Sequence, residues 1–448
     1  MPIFQHLRHL KPRIRMMLLV GASVLAAACV IVVFAGDGEL ASAGQQQASD
    51  RDKQARDDQD RGDRDLDEQE EKDERDTRHP DHFVASGPDN VVWGGFPIDR
   101  PPVLTMQSGQ TVRIDALSQS GATGTISPVE FFGLFGVKED EVLQDLVAFW
   151  KTIPNGGGTR PRYGPHILTG PVYIDGAAPG DTLEIQILDI NLRVPYGVNN
   201  TSPMGGVLGT AYPGFRAGDT GLATIPPTGT VPGVRQHLYR AVKVRGRDVA
   251  AVSDDIHVPL APFMGVMGVA PATGVFVQAP ANDPNVLGVQ SSWPPGPFGG
   301  NMDLKDLTAG ATLFLPVFQY GAQFYTGDSH SAQGDGEVSG TAIEHSLSGV
   351  FRFILHKGKA LDFPRAETRT HYIMMGTDLD LDRAMRKATL EVVKFLVAEK
   401  GLTEAKAFSL ASIAIDFHNA EVVDTMQLVV ARIPKSLFVR QRDRDRND

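Results

Sequence analysis

The sequence predicts an α+β fold that is mostly β. Three observations carry this. Several short runs alternate apolar and polar residues with period two, as half-buried strands do. Glycine and proline are abundant, 47 and 30 in 448 residues, which favours turn-rich sheet over helical bundles. Strong helical spacing is concentrated in a pair of segments near the C-terminus, after most of the strands, and that order reads as α+β.

The first clear alternating run is Thr111 to Leu117, preceded by a turn at Ser108-Gly109. A helical pattern from Glu139 to Ile153 interrupts the strands. Gly170 to Ile174 and Thr182 to Leu188 resume them, with Pro179-Gly180-Asp181 as the turn between. Val198 to Pro232 is rich in Gly, Pro and Thr and reads as long loops, and loops of that length tend to be functional. Leu313 to Phe318 reads as a buried strand. Leu381, Met385, Ala388, Val392 and Phe395 or Leu396 recur at helical spacing, with Asp380 and Asp382 at the start and Gly401 at the end. A second helix is expected from Thr403, and a last strand from Val422 to Ile433.

A chain of this length exceeds one ordinary domain. The expected division is an N-terminal β-rich domain at 79–260 and a C-terminal α+β domain at 261–438. Arg8, Lys11, Arg13 and Arg15 precede an uncharged run from Met16 to Ala35, and Ala41-Ser42-Ala43 supplies a small-x-small cleavage pattern. Residues 1–43 thus read as a signal peptide. The run is also long enough to cross a bilayer, which leaves an N-terminal anchor open. Either way the protein is expected outside the cytoplasm, periplasmic or extracellular. Residues 44–78 are mostly charged and polar, with too little apolar surface to offset ordering entropy, and read as a disordered spacer. A charged solvent-exposed helix is the alternative there. Residues 439–448 read as a disordered tail.

The net charge of −11 leaves no basic surplus for phosphates and argues against nucleic acid as a partner. The one cysteine, Cys29, lies in the apolar N-terminal run. The body therefore has no thiolate to act as a nucleophile or to bind zinc.

The chemistry is concentrated between Gly327 and Glu344. Asp328, His330, Asp335, Glu337 and Glu344 fall in this span, among several glycines. Asp328 and His330 are two apart, so an extended segment turns them to one side, and the same holds for Asp335 and Glu337. Carboxylate with imidazole suits Zn²⁺ or another divalent ion, and carboxylates without imidazole would suit Ca²⁺. A spare carboxylate can serve as general base and then acid. A hydrogen-bonded polar turn is the structural alternative. Asn301 and Asp303 follow Gly299-Gly300, and His166 precedes Thr169-Gly170-Pro171. Met264 and Gly265 lie in an apolar, Gly-rich run that could line a pocket or simply pack.

Together these stretches resemble the acetamidase/formamidase family. The matching residues are Pro101-Pro102-Val103-Leu104-Thr105, Leu168 to Asp181, Met264 to Gly268, Gly299 to Asp303, and Gly-Asp-x-His-x-x-x-Gly-Asp-Gly-Glu from Gly327 with Gly340-Thr341-Ala342-Ile343-Glu344 after it. Asp378-Leu379-Asp380, Val422-Val423-Asp424 and Ile433-Pro434-Lys435 extend the likeness to the C-terminus. The resemblance implies an intertwined β-rich fold with a C-terminal α+β part, homo-oligomers, and hydrolysis of small linear amides such as formamide or acetamide to ammonia and a carboxylate. It also implies a divalent metal at the acidic cluster, Zn²⁺ ahead of Ca²⁺, with Asp328, His330 and Glu337 as metal ligands. Glu337, Asp335 and Glu344 are then the catalytic candidates, and Asn301, Asp303, His166, Met264 and Gly265 would line the substrate site. The helical stretch within 124–162 and the 198–232 loop depart from the family pattern. Two other functions therefore stay open: hydrolysis of a larger amide or related C–N substrate, and a non-catalytic metal-binding module.

Overall fold

The computed structural model describes residues 71–153, 164–201, 206–207, 236–272 and 289–438. The export segment, most of the charged spacer, the tail and most of the 198–232 loop lie outside these residues. Residues 71–78, inside the span expected to be disordered, are helical. The reason lies far away in sequence. Arg352 is buried, and its guanidinium meets Asp73 at 2.8 Å and Asp76 at 2.7 Å. A buried cation needs such partners, and composition alone does not reveal it.

Two large sheets carry the fold. The first has nine strands in the order His82–Val84, Thr111–Asp115, Leu347–His356, Thr182–Leu192, Thr312–Pro316, Arg365–Glu367, His371–Asp378, Gln427–Pro434 and Asp416–Glu421. The second runs Pro295–Gly296, Gly299–Asn301, Phe263–Val269, Phe324–His330, Ile167–Ile174 and Val91–Trp93, with Leu104–Met106 also pairing Ile167–Ile174. Ile185, Leu313 and Phe351 of the first sheet share one apolar core with Val266, Met267 and Phe324 of the second. Strands buried on both faces read as continuous apolar runs, which is why Phe263–Val269 shows no alternation.

The boundary expected at residue 260 is not a boundary. Both sheets interleave strands from before and after it, and the described residues fall in one compact unit. A smaller four-stranded sheet runs His257–Pro259, Arg247–Ala251, Gln236–Val244 and Tyr196–Asn200.

The C-terminal helices form where expected. Asp380 caps Leu381–Lys400 by accepting from the Arg383 amide, and Gly401 closes it in the left-handed region at φ 66°. Thr403 caps Glu404–Ala414 in the same way. The buried stripe differs slightly from the expected one: Ala384, Ala388, Val392, Phe395 and Leu396 face the sheet, while Leu381 and Met385 are exposed. The last strand begins at Gln427 rather than Val422. Glu421 accepts from the Val423 and Asp424 amides at 3.0 and 3.1 Å, which turns the chain there.

Candidate active site

The strand Phe324–His330 is buried along its whole length between Phe263–Val269 and Ile167–Ile174, so its last residues deliver Asp328 and His330 into the interior. Phe263 stands opposite His330 and Met264 opposite Ser329. Gly265 permits the close approach. A Cβ there would collide with Asp303 Oδ1 and sit 2.7 Å from the Asp328 carbonyl oxygen and 2.9 Å from His330 Cε1.

After His330 the chain leaves the sheet and returns on itself. The Ser331 amide donates to Ile343, Ile343 to Ala332, and His345 to Ser329, at 3.0, 3.0 and 2.8 Å. This closure sets Glu344 opposite His330, while the Glu344 amide also donates to Val198 at 2.8 Å. Farther round the loop, the Gly336 amide donates to the Ala420 carbonyl at 2.9 Å. Glu337 is thereby brought beside Asp424. Asp303, Asp328 and Glu337 all hold positive φ, at 44°, 47° and 43°. Side chains rarely adopt that backbone, and such strain gathers at functional sites.

The result is a buried acidic cluster. Asp303, Asp328, Glu337, Glu344, Glu421 and Asp424 are each 8% exposed or less. Three overlapping sets of ligand atoms lie within 4.8 Å of one another: Asp303–Asp328–His330, His330–Glu337–Glu344 and Asp303–Glu337–Asp424. His330 Nε2 stands 3.5 Å from Asp328 and 3.3 Å from Glu344 without an aligned hydrogen bond, while its Nδ1 meets Gln333 Oε1 at 2.9 Å. Gln119 Nε2 donates to both Asp328 and Glu344 at 2.7 Å. Asn301 donates to Asp424 at 2.8 Å. Both oxygens of Asp303 are buried with no donor.

Burial first, and then neighbouring charge, set the titration. Burial pushes Asp303 and Glu337 well above the usual carboxylate range. Glu337 and then Asp424 add to it for Asp303, and Asp424 and then Glu344 for Glu337. Glu344, Glu421 and Asp424 are also raised, first by burial. Asp328 goes the other way. Burial opposes its charge, but His166 and His330 outweigh it and hold the carboxyl low. Burial likewise opposes a charged His330, and Glu344 and Asp328 override it and raise the imidazole.

Glu337 and Gln333 also line a cavity of about 840 Å³. Its other walls include Tyr239, Val258 and Ile343, with Lys305, Asp335 and Arg432 at the rim.

Most of the expected site residues converge here. Asp328, His330, Glu337 and Glu344 do, as do Asn301 and Asp303. His166 Nε2 lies 3.6 Å from Asp328, with Nδ1 at 3.0 Å from the Ser292 carbonyl. The expected ligand trio of Asp328, His330 and Glu337 is divided: Asp328 and His330 share a set with Asp303, and His330 and Glu337 share one with Glu344. Asp335 stands apart from all three sets, paired with Lys305 at 3.2 Å and Arg432 at 3.4 Å. Met264 is fully buried in the main apolar core, so packing is its part, and Gly265 serves by leaving room for Asp303. The sequence reading missed Gln119, Gln333, Glu421 and Asp424 as site residues. A Glu and an Asp three apart, Glu421 and Asp424, were the only local signal for the last two.

The Acetamidase/Formamidase family model matches residues 163–287 and 287–440. An acetamidase from Mycolicibacterium smegmatis is 34% identical over 205 residues, covering 39% of this chain and 49% of that protein. The match thus spans about half the length of that relative. A formamidase from Methylophilus methylotrophus is 28% identical over 308 residues, covering 58% of this chain and 73% of its own. The crystal structure of an acetamidase from Bacillus halodurans aligns with a TM-score of 0.59 at 25% identity, over 79% of this chain and 98% of that one.

Proposed function

The chain belongs to the acetamidase/formamidase family, and on that premise we propose that it hydrolyses the C–N bond of small linear amides to ammonia and a carboxylate at the buried acidic cluster. The observation that carries the reading is the convergence of Asp303, Asp328, His330, Glu337 and Glu344, with Glu337 opening onto a cavity.

The donor set fits a divalent cation. Asp303 has two buried oxygens without a donor, and His330 Nε2 has carboxylates around it but no aligned partner. Carboxylates with an imidazole favour Zn²⁺ over Ca²⁺, which takes oxygen ligands. Asp303, Asp328 and His330 would hold it, with Glu344 alongside. When bound, such an ion lowers the pKa of coordinated water and polarises an amide carbonyl.

The chain's own residues do the rest. Gln119 and Ala342 donate to Glu344, and Gln119 also donates to Asp328, which fixes the directions of both carboxylates. Glu337 is the carboxyl of the buried cluster that reaches the cavity, and the one placed to move a proton. As the water oxygen bonds to the carbonyl carbon, its proton passes to Glu337. As the C–N bond breaks, Glu337 returns a proton to the nitrogen, which leaves as ammonia. Asp335 has no part in this step.

The run from Arg8 to Ala43 supports an exported enzyme. Among the described residues no helix is long and apolar enough to cross a membrane. The apolar side chains left exposed on the C-terminal helix pair, Leu390, Val397, Phe408 and Ile413, support a homo-oligomer. The amidase reading is tested by stripping the protein of metal, restoring Zn²⁺, and measuring ammonia release from formamide and acetamide together with longer linear amides. Release that disappears on stripping and returns on loading is the expected result. No release from any linear amide by the loaded protein would sink the reading.

A further inference from the structure

We propose that the cavity beside Glu337 is an acyl pocket, so that the preferred amides carry an apolar acyl chain longer than acetyl. This rests on the amidase reading above and names the substrate class within it.

The cavity measures about 840 Å³, inside the range of about 300–1,000 Å³ in which pockets enclose whole ligands of drug size. Formamide and acetamide would leave nearly all of it to water. Its lining is also divided by chemistry. Glu337 and Gln333 belong to the acidic cluster. Tyr239, Val258, Ala332 and Ile343 belong to one small apolar cluster, in which the four-stranded sheet packs on the loop after His330. Two further lining residues, Val252 and Val338, keep apolar side chains in water at 42% and 59% exposure. With Tyr239, Val258 and Ile343 they extend the apolar side of the cavity, and an apolar surface rimmed by polar residues suits an apolar ligand.

The remaining rim argues against a charged tail. Lys305 and Arg432 are already matched by Asp335, and Arg432 also by Asp306 at 2.7 Å. An acyl group there meets no charge in need of a partner. With the scissile amide at Glu337, the apolar wall is what the acyl carbons would cover. Tyr239, Val252 and Val258 come from the four-stranded sheet and its connections, which do not carry the acidic cluster, so that side of the wall can be altered without moving the carboxylates.

The test uses the full chain loaded with Zn²⁺. Ammonia release is measured from formamide, acetamide, butyramide and hexanamide, for the wild type and for Val258→Trp and Val252→Trp, which narrow the wall. A buried methylene changes kcat/KM by roughly 10- to 200-fold. Butyramide is therefore expected to exceed acetamide by roughly tenfold or more. The Trp variants should lower kcat/KM for butyramide and hexanamide by more than for acetamide and so remove most of that advantage. Calorimetric titration with acetate, butyrate and hexanoate should show the same order without turnover. A series that is flat or falls beyond acetamide overturns the inference and leaves the amidase reading standing, as does an equal loss on all amides in both Trp variants. Ammonia from none of the four amides overturns both.

Discussion

Asp335 and Glu337 are two residues apart, in one glycine-rich loop, and an extended chain would turn them to the same side. The fold gives them opposite surroundings. Asp335 is part-exposed and faces Lys305, Arg432 and, at 3.6 Å, His418. Glu337 is buried among Asp303, Glu344 and Asp424, on a left-handed backbone. One carboxylate completes a surface ion network. The other is held where ionisation is costly unless a cation is present. The difference teaches that a carboxylate's chemistry is set by what the rest of the chain brings to it.

The sharpest way to break the comparison is to neutralise each carboxylate in turn. Glu337→Gln is expected to lower kcat by about 10²- to 10⁴-fold, the usual worth of a positioned acid–base group. Its thermal midpoint without metal should rise or stay level, because the cost of holding an ionisable carboxyl in the buried acidic cluster is removed. Equal kinetics for the variant and the wild type would place the proton carrier elsewhere. Next in size is Gln119→Leu. A group that orients ligating carboxylates is worth about 10- to 100-fold in metal affinity or activity. Zinc retained after dialysis against a chelator measures it, and full retention would reduce Gln119 to packing.

Gly265→Ala tests the close approach. Its Cβ would collide with Asp303 Oδ1 in a filled core, and overpacking costs about 1–3 kcal/mol. Urea unfolding should show that loss, and an unchanged midpoint would mean that Asp303 can move aside freely. The smallest effect is expected from Asp335→Asn. Part-exposed ion pairs are worth about 0.2–1 kcal/mol, so stability should fall slightly and kcat should hold. A large fall in kcat would erase the distinction between the two acids.

The sequence made part of this site legible because part of it is local. Asp328, His330, Glu337 and Glu344 sit within one loop and strand end, and Asn301 and Asp303 follow a Gly-Gly step. Gln119 reaches Asp328 across 209 residues, and Asn301 reaches Asp424 across 123. No spacing rule spans such distances. The same limit applies to the fold. Caps at Asp380, Gly401 and Thr403 are local chemistry, and the helices they bound could be read directly. The supposed boundary at 260 failed because strand order is settled by pairings such as Thr312–Pro316 against Thr182–Leu192, which cross it. For residues 71–78 the sequence offered a charged helix only as the alternative to disorder, because their partner, Arg352, lies in a distant strand.

The central claim is that the buried cluster is a cation-binding hydrolytic centre. Crystals grown with Zn²⁺ and measured on both sides of the zinc absorption edge test it most directly. The expected result is an anomalous peak about 2.0–2.2 Å from a His330 ring nitrogen and from oxygens of the surrounding carboxylates, with Glu337 facing the cavity beside it. An empty cluster, or a peak only at the Asp335 rim, would contradict the claim.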